Sequence, residues 1–288
     1  MILTARNQLM RMICCGLLWL AVMAAEAQIN IWEGTACRKK VEMTPYVSEG
    51  TGNVAVVVCP GGSYFWHDMQ NEGHLVGQWL QKHGVSAFVL RYRTAYVPAF
   101  VVRHRWVFRG NRYPDPQDDL RQALKCVRAN AEKWGIDPEL VGAMGFSAGG
   151  HLVSTLMVSD DASIRPDYAI LFYPIVSMKK ELTHYWAYLH LLGENPSKEM
   201  EDRYSNELHI SNLTPPAYIV VCSDDKIVDP RNAIRFYKGM RAHNRPVTLQ
   251  VYPSGGHGWG YRLTFAHHRQ MVDDLSEWLK NRPSKLHK

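Results

Sequence analysis

Long apolar runs are scarce in this 288-residue chain, and metal-binding patterns are absent. Neither C-x-x-C nor H-E-x-x-H occurs, so a metal site has little support and no cofactor is expected. There is no internal repeat, no low-complexity linker and no long block of like charge, so a single domain over 28–288 is the economical reading. Nothing resembles a nucleic-acid module. Of the six cysteines, the four beyond the first 27 residues are widely spaced. Cys59 and Cys222 each end an apolar run, which suits free buried thiols as well as a bridge; Cys37 and Cys126 are the other two beyond the first 27 residues.

What is present begins with a short leader. Arg6 and Arg11 precede the apolar stretch 12–25, and Ala25-Glu26-Ala27 places small residues before Gln28. A membrane span needs about 20 apolar residues, so the pattern predicts a cleaved signal peptide over 1–27, with an uncleaved N-terminal anchor as the alternative. A secreted or periplasmic protein, without stable membrane insertion after cleavage, is expected. Losing two arginines and one glutamate lowers the net charge from +6 to +5, a mild positive balance compatible with an acidic polysaccharide. The densest basic patch is Arg103-His104-Arg105 with Arg109 and Arg112, read as a solvated loop.

The body of the chain alternates strand-like and helix-like segments. Val54–Cys59 is a continuous β-branched run, the mark of a strand covered on both faces. Further strands are predicted at 85–91, 140–144, 168–173, 217–222 and 247–252. Helices are predicted at 72–83, 118–134, 197–205, 230–243 and 264–281, the second with acidic residues at its start and Gly135 at its end. Such β/α alternation predicts a mostly parallel central sheet with helices on both faces, with ligands beyond the carboxyl ends of the strands.

Gly145-Phe146-Ser147-Ala148-Gly149-Gly150 lies between a predicted strand and a helix-like stretch. A serine in a G-x-S-x-G turn at that junction is a nucleophile elbow, in which only very small neighbours fit where strand and helix approach. A serine hydroxyl needs a base to take its proton, and the base needs an orienting acid. In chain order, the acid should follow the serine and the histidine should come last. Asp225, after strand 217–222, is the leading acid; Asp224 is its runner-up, and Asp229 reads as a cap of the helix near Pro230. His257, between glycines after strand 247–252, is the base. His151 reads as packing or capping, and His267 and His268 as surface residues. Backbone N–H groups of Gly62 or Ser63, after strand 54–59, and of Ala148 are the candidate oxyanion donors.

At these motifs the chain resembles the secreted bacterial, acetyl-xylan-esterase-like carbohydrate esterases of the α/β-hydrolase superfamily. The likeness spans nearly all of 28–288. Cys59-Pro60-Gly61-Gly62-Ser63-Tyr64 is similar to that group's C-P-G-G-G-Y loop, with Ser63 in place of the last glycine. Glu72-Gly73, Tyr92-Arg93, Asp119 with Ala123, Trp134-Gly135-Ile136-Asp137-Pro138, Gly145–His151 and Gly256-His257-Gly258 fit its spacing. The resemblance implies an α/β-hydrolase fold with Ser147, Asp225 and His257 as the triad. It further implies an ester-bearing carbohydrate as partner, with acetyl favoured as the acyl group.

Two departures stand out. Ser63 adds a hydroxymethyl group beside the acyl site, and Ala95–Tyr113 is longer, more basic and more aromatic than the usual connection. The latter reads either as a lid or sugar-contacting loop, or as an excursion packed by Trp106 and Phe108. Tyr64, Trp66 and Trp259 are candidate substrate contacts, with wall packing the alternative for the two tryptophans. A peptidase of the same fold usually carries an added domain, a lipase an apolar lid, and a non-catalytic binding homologue usually lacks one of the three roles; these remain the rival readings.

Overall fold

The computed structural model describes residues 28–37, 39–50, 53–95 and 110–281. The expected leader over 1–27 and the greater part of the connection 95–113, with Arg103, His104, Arg105 and Arg109, lie outside them. Among the described residues no helix is long and apolar enough to cross a membrane.

Eight strands form one sheet: β1 (Ile29–Asn30), β2 (Glu42–Tyr46), β3 (Asn53–Cys59), β4 (Val85–Leu90), β5 (Ile136–Phe146), β6 (Ala169–Phe172), β7 (Ala217–Cys222) and β8 (Val247–Tyr252). Their order is β1-β2-β4-β3-β5-β6-β7-β8. β1 and β2 pair antiparallel at one edge, and every pairing from β4 to β8 is parallel. The helices are α1 (Leu75–Lys82), α2 (Asp115–Ala129), α3 (Ala148–Met157), α4 (Tyr185–Leu192), α5 (Lys198–Arg203), α6 (Arg231–Ala242) and α7 (His268–Asn281).

The alternation of side chains along β3 divides the core in two. Ala55, Val57 and Cys59 join Leu120 and Leu124 of α2, Leu152 and Leu156 of α3, and Phe236 and Met240 of α6. Val56 and Val58 join Val76, Trp79 and Leu80 of α1 and Met271, Leu275 and Leu279 of α7 on the opposite face. Both sides of β3 are therefore apolar, which is why its sequence shows no polar alternation. The helices carry apolar residues three or four positions apart because each buries one stripe only. All four cysteines in the described residues are free, and burial pushes the Cys59 thiol well up.

Several boundaries move from those the sequence predicts. The helix expected from 72 starts as a π-helical turn, Met69–His74, where Asp68 accepts the Asn71 N–H before α1 begins. α2 starts at Asp115, since Pro116 is tolerated in a first turn, and ends at Ala129. The remainder tightens into a 3₁₀ turn, Glu132–Trp134, closed by Gly135 at φ 61°. β5 extends from Ile136, and β1, β2 and α4 are additional to the predicted set.

One ion cluster holds the antiparallel edge to the helical layer. Asp119 of α2 is fully buried and accepts from Arg93 Nε and Nη2 at 2.8–3.0 Å, from the Arg93 N–H at 2.8 Å and from the Trp32 indole at 2.9 Å. Removing Asp119 leaves the mostly buried Arg93 with Asp115 alone, at 2.6 Å, and leaves its Nε and the Trp32 indole without their acceptor. Asp119→Ala is expected to cost about 3–5 kcal/mol of stability. Urea unfolding of the variant measures this, and a loss under about 1 kcal/mol would contradict the role given to the pair.

Candidate active site

Because β3, β5, β6, β7 and β8 run in one direction, the loops that follow them meet at one edge of the sheet. Ser147 follows β5, the 60–64 loop follows the adjacent β3, Asp225 follows β7 and His257 follows β8.

Ser147 sits at φ 51°, ψ −113°, in a region that L residues rarely adopt. Its N–H bonds the Phe172 carbonyl at 3.0 Å, and its own carbonyl accepts from His151 and Ile175. Two glycines permit this turn. A methyl group on Gly145 would lie 2.2 Å from the Gly149 carbonyl oxygen, and one on Gly149 would lie 2.0 Å from the Cys59 carbonyl oxygen. Both contacts are with backbone, which has no room to yield.

The hydroxyl of Ser147 is 2.8 Å from His257 Nε2, and His257 Nδ1 is 2.7 Å from Asp225 Oδ2. Asp225 is buried, and its Oδ1 accepts the N–H groups of Ile227 and Val228 at 2.9 and 3.0 Å. That arrangement makes Nδ1–H the donor to Asp225 and leaves Nε2 to accept the serine proton. Asp224 faces elsewhere: it is exposed and accepts the Gly255 and Gly256 N–H groups, shaping the loop that carries His257. Asp229 accepts the Arg231 N–H at the start of α6.

The 60–64 loop is oriented peptide by peptide. Pro60 C=O accepts from Tyr92 O–H at 2.7 Å, and Gly61 C=O from Asp68 N–H at 3.1 Å. Gly62 C=O accepts from Phe65 and Trp66 N–H, and Ser63 C=O from His190 Nδ1–H at 3.0 Å. In a trans peptide the N–H points opposite to the C=O. Tying down the Gly61 and Gly62 carbonyls therefore turns the N–H groups of Gly62 and Ser63 the other way. Those two groups, and the N–H of Ala148 at the first position of α3, donate to no protein acceptor among the described residues. The loop abuts the nucleophile, since a methyl group on Gly61 would lie 3.0 Å from Ser147 Cβ. Three N–H donors and the positive end of α3 thus lie beside the Ser147 hydroxyl, an environment suited to an oxygen that gains negative charge.

Two of the three candidate substrate contacts turn inward. Tyr64, at φ 57°, is 1 % exposed, and its O–H bonds His151 Nδ1 at 2.8 Å. His151 Nε2 in turn donates to the Tyr204 carbonyl, and burial holds the imidazole down to about 3, hence neutral. Tyr64 therefore braces the loop from beneath rather than meeting a ligand. Trp259 is 4 % exposed, stacked on Phe265 at 4.1 Å and set edge-on to Tyr173 and Phe172. It is core packing. Trp66 remains at the surface, 53 % exposed, and lines an open hollow of about 400 Å³ with His67, Tyr92 and Asn111. A second hollow, about 380 Å³, lies past the far end of α3 between Tyr113, Gln117 and Tyr204, away from Ser147. His267 and His268 are partly buried; His267 stacks on Tyr252.

Residues 109–260 match a family model described as alpha/beta hydrolase fold. The chain belongs to this family. It is 35 % identical over 274 residues to an acetylxylan esterase of Xylanibacter ruminicola, covering 93 % of this chain and 54 % of that protein. It is 32 % identical over 214 residues to endo-1,4-beta-xylanase B of Butyrivibrio fibrisolvens, covering 70 % of this chain and 32 % of that protein. The chain therefore spans about half, or less, of the length of these two curated relatives. Among solved structures it resembles an acetyl ester-xyloside bifunctional hydrolase from Caldicellulosiruptor lactoaceticus, with TM-score 0.78, 30 % identity, and 89 % and 96 % of the two chains covered.

Within this α/β-hydrolase, sequence reasoning missed three groups at the site: His184 and His190 of the α4 region, and Glu72 behind the 60–64 loop. His184 caps α4 through the Ala187 N–H and lies 3.5 Å from Ser63 Oγ. The histidines carried no signal because α4 has no amphipathic period to announce it. Glu72 carried a faint one, its place in the Glu72-Gly73 pair. Gly149→Ala is expected to abolish labelling of Ser147 by a fluorophosphonate or to prevent folding, as the methyl pushes α3 from β3. Mass spectrometry of the labelled protein measures this; labelling at the wild-type rate would remove the steric reason for the motif.

Proposed function

We propose that this chain is a serine carboxylesterase that hydrolyses short acyl esters, acetyl foremost, on a plant saccharide such as xylan. The observation that carries the reading is the Ser147–His257–Asp225 relay, with spacings of 2.8 and 2.7 Å, beside the available N–H groups of the 60–64 loop and Ala148. The carbohydrate side of the reading is supported by the acetylxylan esterase and the acetyl ester-xyloside hydrolase to which the chain is similar.

Ser147 Oγ attacks the ester carbonyl carbon while its proton passes to His257 Nε2. The carbonyl oxygen becomes an oxyanion and accepts from the N–H groups of Gly62 or Ser63 and Ala148. Asp225 holds the Nδ1–H tautomer and stabilises the imidazolium. The tetrahedral species then collapses: the bond to the sugar oxygen breaks, and His257 returns the proton to that oxygen. Water attacks the acyl-Ser147 with His257 again as base, releasing acetate and restoring the serine. The steps use side chains and backbone of this chain alone.

The hydroxymethyl group of Ser63, beside His184, narrows the acyl side of the site, in keeping with a small acyl group. Export of the protein follows from the leader pattern of residues 1–27, with cleavage before Gln28, and 28–288 is proposed as one domain.

Acetate release from acetylated xylan and turnover of p-nitrophenyl acetate are expected of the purified protein, both lowered about 10⁴-fold or more in Ser147→Ala. Turnover that survives in that variant overturns the mechanism. Activity on p-nitrophenyl acetate alone overturns the polysaccharide substrate and leaves the serine chemistry. Asp225→Asn is expected to lower kcat by about 10³–10⁴-fold, since Nδ1 loses the acceptor that fixes its tautomer. Stopped assays at saturating ester measure this, and a fall of less than tenfold would remove Asp225 from the relay.

A further inference from the structure

The turn at 68–74 touches both loops that converge on Ser147. Towards the 60–64 loop, Glu72 Oε2 accepts the Gly61 N–H at 2.6 Å, and Asp68 N–H donates to the Gly61 carbonyl. Towards the loop carrying His257, the Asn71 carbonyl accepts the Tyr261 N–H at 2.9 Å, and Arg262 reaches Asp68 at 3.4 Å. A third link passes through the carboxylate itself: Glu72 Oε1 accepts the Tyr173 O–H at 2.7 Å, and the Tyr173 oxygen accepts the Gly260 N–H at 2.9 Å. The Tyr173 ring also lies against the His257 imidazole, with centroids 4.7 Å apart. Glu72 is 3 % exposed, and Tyr173, at φ 36°, is 1 % exposed.

The hydrogens in this chain of bonds can be counted. Gly61 N–H, Tyr173 O–H and Gly260 N–H supply three, and the two carboxylate oxygens and the phenol oxygen accept one each. An ionised Glu72 matches the donors one to one. A protonated carboxyl, or an amide, adds hydrogen for which the chain of bonds has no acceptor. The matched donors favour the charged form against the cost of burying it.

We propose that Glu72 is a positioning residue of the ester-hydrolysing site: through Gly61 and Tyr173 its carboxylate sets the distance between the oxyanion loop and the histidine loop, and its charge favours the imidazolium that forms as Ser147 attacks. The proposal rests on the serine-esterase reading for its kinetic consequences. Its structural content, coupling of the two loops by one carboxylate, stands on the hydrogen bonds alone.

Burial pushes the Glu72 carboxyl up to about 7, against the bonds from Tyr173 and Gly61 and the pull of His257. The groups that face it are Tyr173, Tyr92, Asp68 and His257, with Arg262 reaching Asp68. As pH falls through about 7, Glu72 gains a proton, the bond chain acquires a hydrogen without an acceptor, and the charge beside His257 is lost. Activity on the acid side therefore depends on the Glu72 proton as well as on the serine chemistry.

The test measures kcat and KM against pH for the wild-type protein, Glu72→Gln and Tyr173→Phe, and follows the Gly61 amide and His257 ring signals by NMR. Glu72→Gln is expected to lower kcat about 10–100-fold, with KM changed by less than about threefold, because misplacement at the reacting atoms acts on the transition state. Its acid limb should lose the dependence on the Glu72 proton and become less steep. Tyr173→Phe keeps the Gly61 bond and cuts the link to Gly260, with a smaller loss of about tenfold in kcat. In the wild-type protein the Gly61 amide should shift as pH crosses about 7. A wild-type kcat and acid limb in Glu72→Gln, or a Gly61 amide indifferent to pH, overturns the proposal. If Glu72→Gln fails to fold, Tyr173→Phe and the wild-type amide titration decide. If the wild-type protein turns over no ester, the esterase reading fails, while the Gly61 and His257 signals still decide whether Glu72 couples the loops.

Discussion

The packing of Gly149 against the Cys59 carbonyl is the contact on which the rest of the site depends. It leaves no space for a side chain, and it brings the first turn of α3 against the end of β3. Two structures that are separate in sequence, the 60–64 loop and the N-terminus of α3, thereby meet at one point. Ser147 occupies that point in a backbone conformation that costs about 1–3 kcal/mol, which the surrounding sheet and helix offset by packing. Both sides of the sheet contribute, because β3 and β5 are central strands whose neighbours on each face are fully apolar.

The polar part of the site follows a single rule: carbonyl groups and carboxylates behind the loops are satisfied so that N–H groups in front are not. Tyr92, Asp68, Phe65, Trp66 and His190 occupy the carbonyls of residues 60–63, and Glu72 takes the one N–H, at Gly61, that points back. Asp225 behaves alike, with two backbone N–H groups on one oxygen and His257 on the other. Such satisfaction fixes dipoles before any ligand arrives, so little reorganisation is needed when charge develops. It also explains why the neutral His151, fully buried, lies so near the serine without serving as its base: both ring nitrogens are already bonded, to Tyr64 and to the Tyr204 carbonyl.

The aromatic side chains that stay at the surface lie around the site rather than in its core. Trp66 is half-exposed beside the 60–64 loop, and Tyr185 and Trp186 are exposed at the start of α4, whose capping His184 meets Ser63. Trp186 stacks on His190, which in turn stacks on Phe65 beside Trp66, so the two exposed aromatic groups are linked through that histidine.

Much of this architecture was legible in the chain itself. The unbroken β-branched run of β3, the glycines flanking Ser147, and the order serine, aspartate, histidine each have a local cause, so periodicity and turn chemistry expose them. β1 and β2 were not legible: one is two residues long, and the other holds Pro45 in a short pattern that only pairing with β4 makes a strand. α4 was hidden because its residues are apolar or aromatic nearly all round. Proximity in sequence misled for Tyr64 and Trp259, since it does not say to which side a loop residue turns; φ 57° sends Tyr64 under its own loop, and Phe265 claims the face of Trp259. Glu72 and Tyr173, 101 residues apart, meet only through the folded sheet. The sequence by itself determined which residue types were available and which short turns they make, because those depend on sterics between neighbours. Which nitrogen of His257 holds the proton, which N–H groups stay available, and which aromatics remain at the surface were decided by tertiary structure, because each depends on a partner distant in the chain.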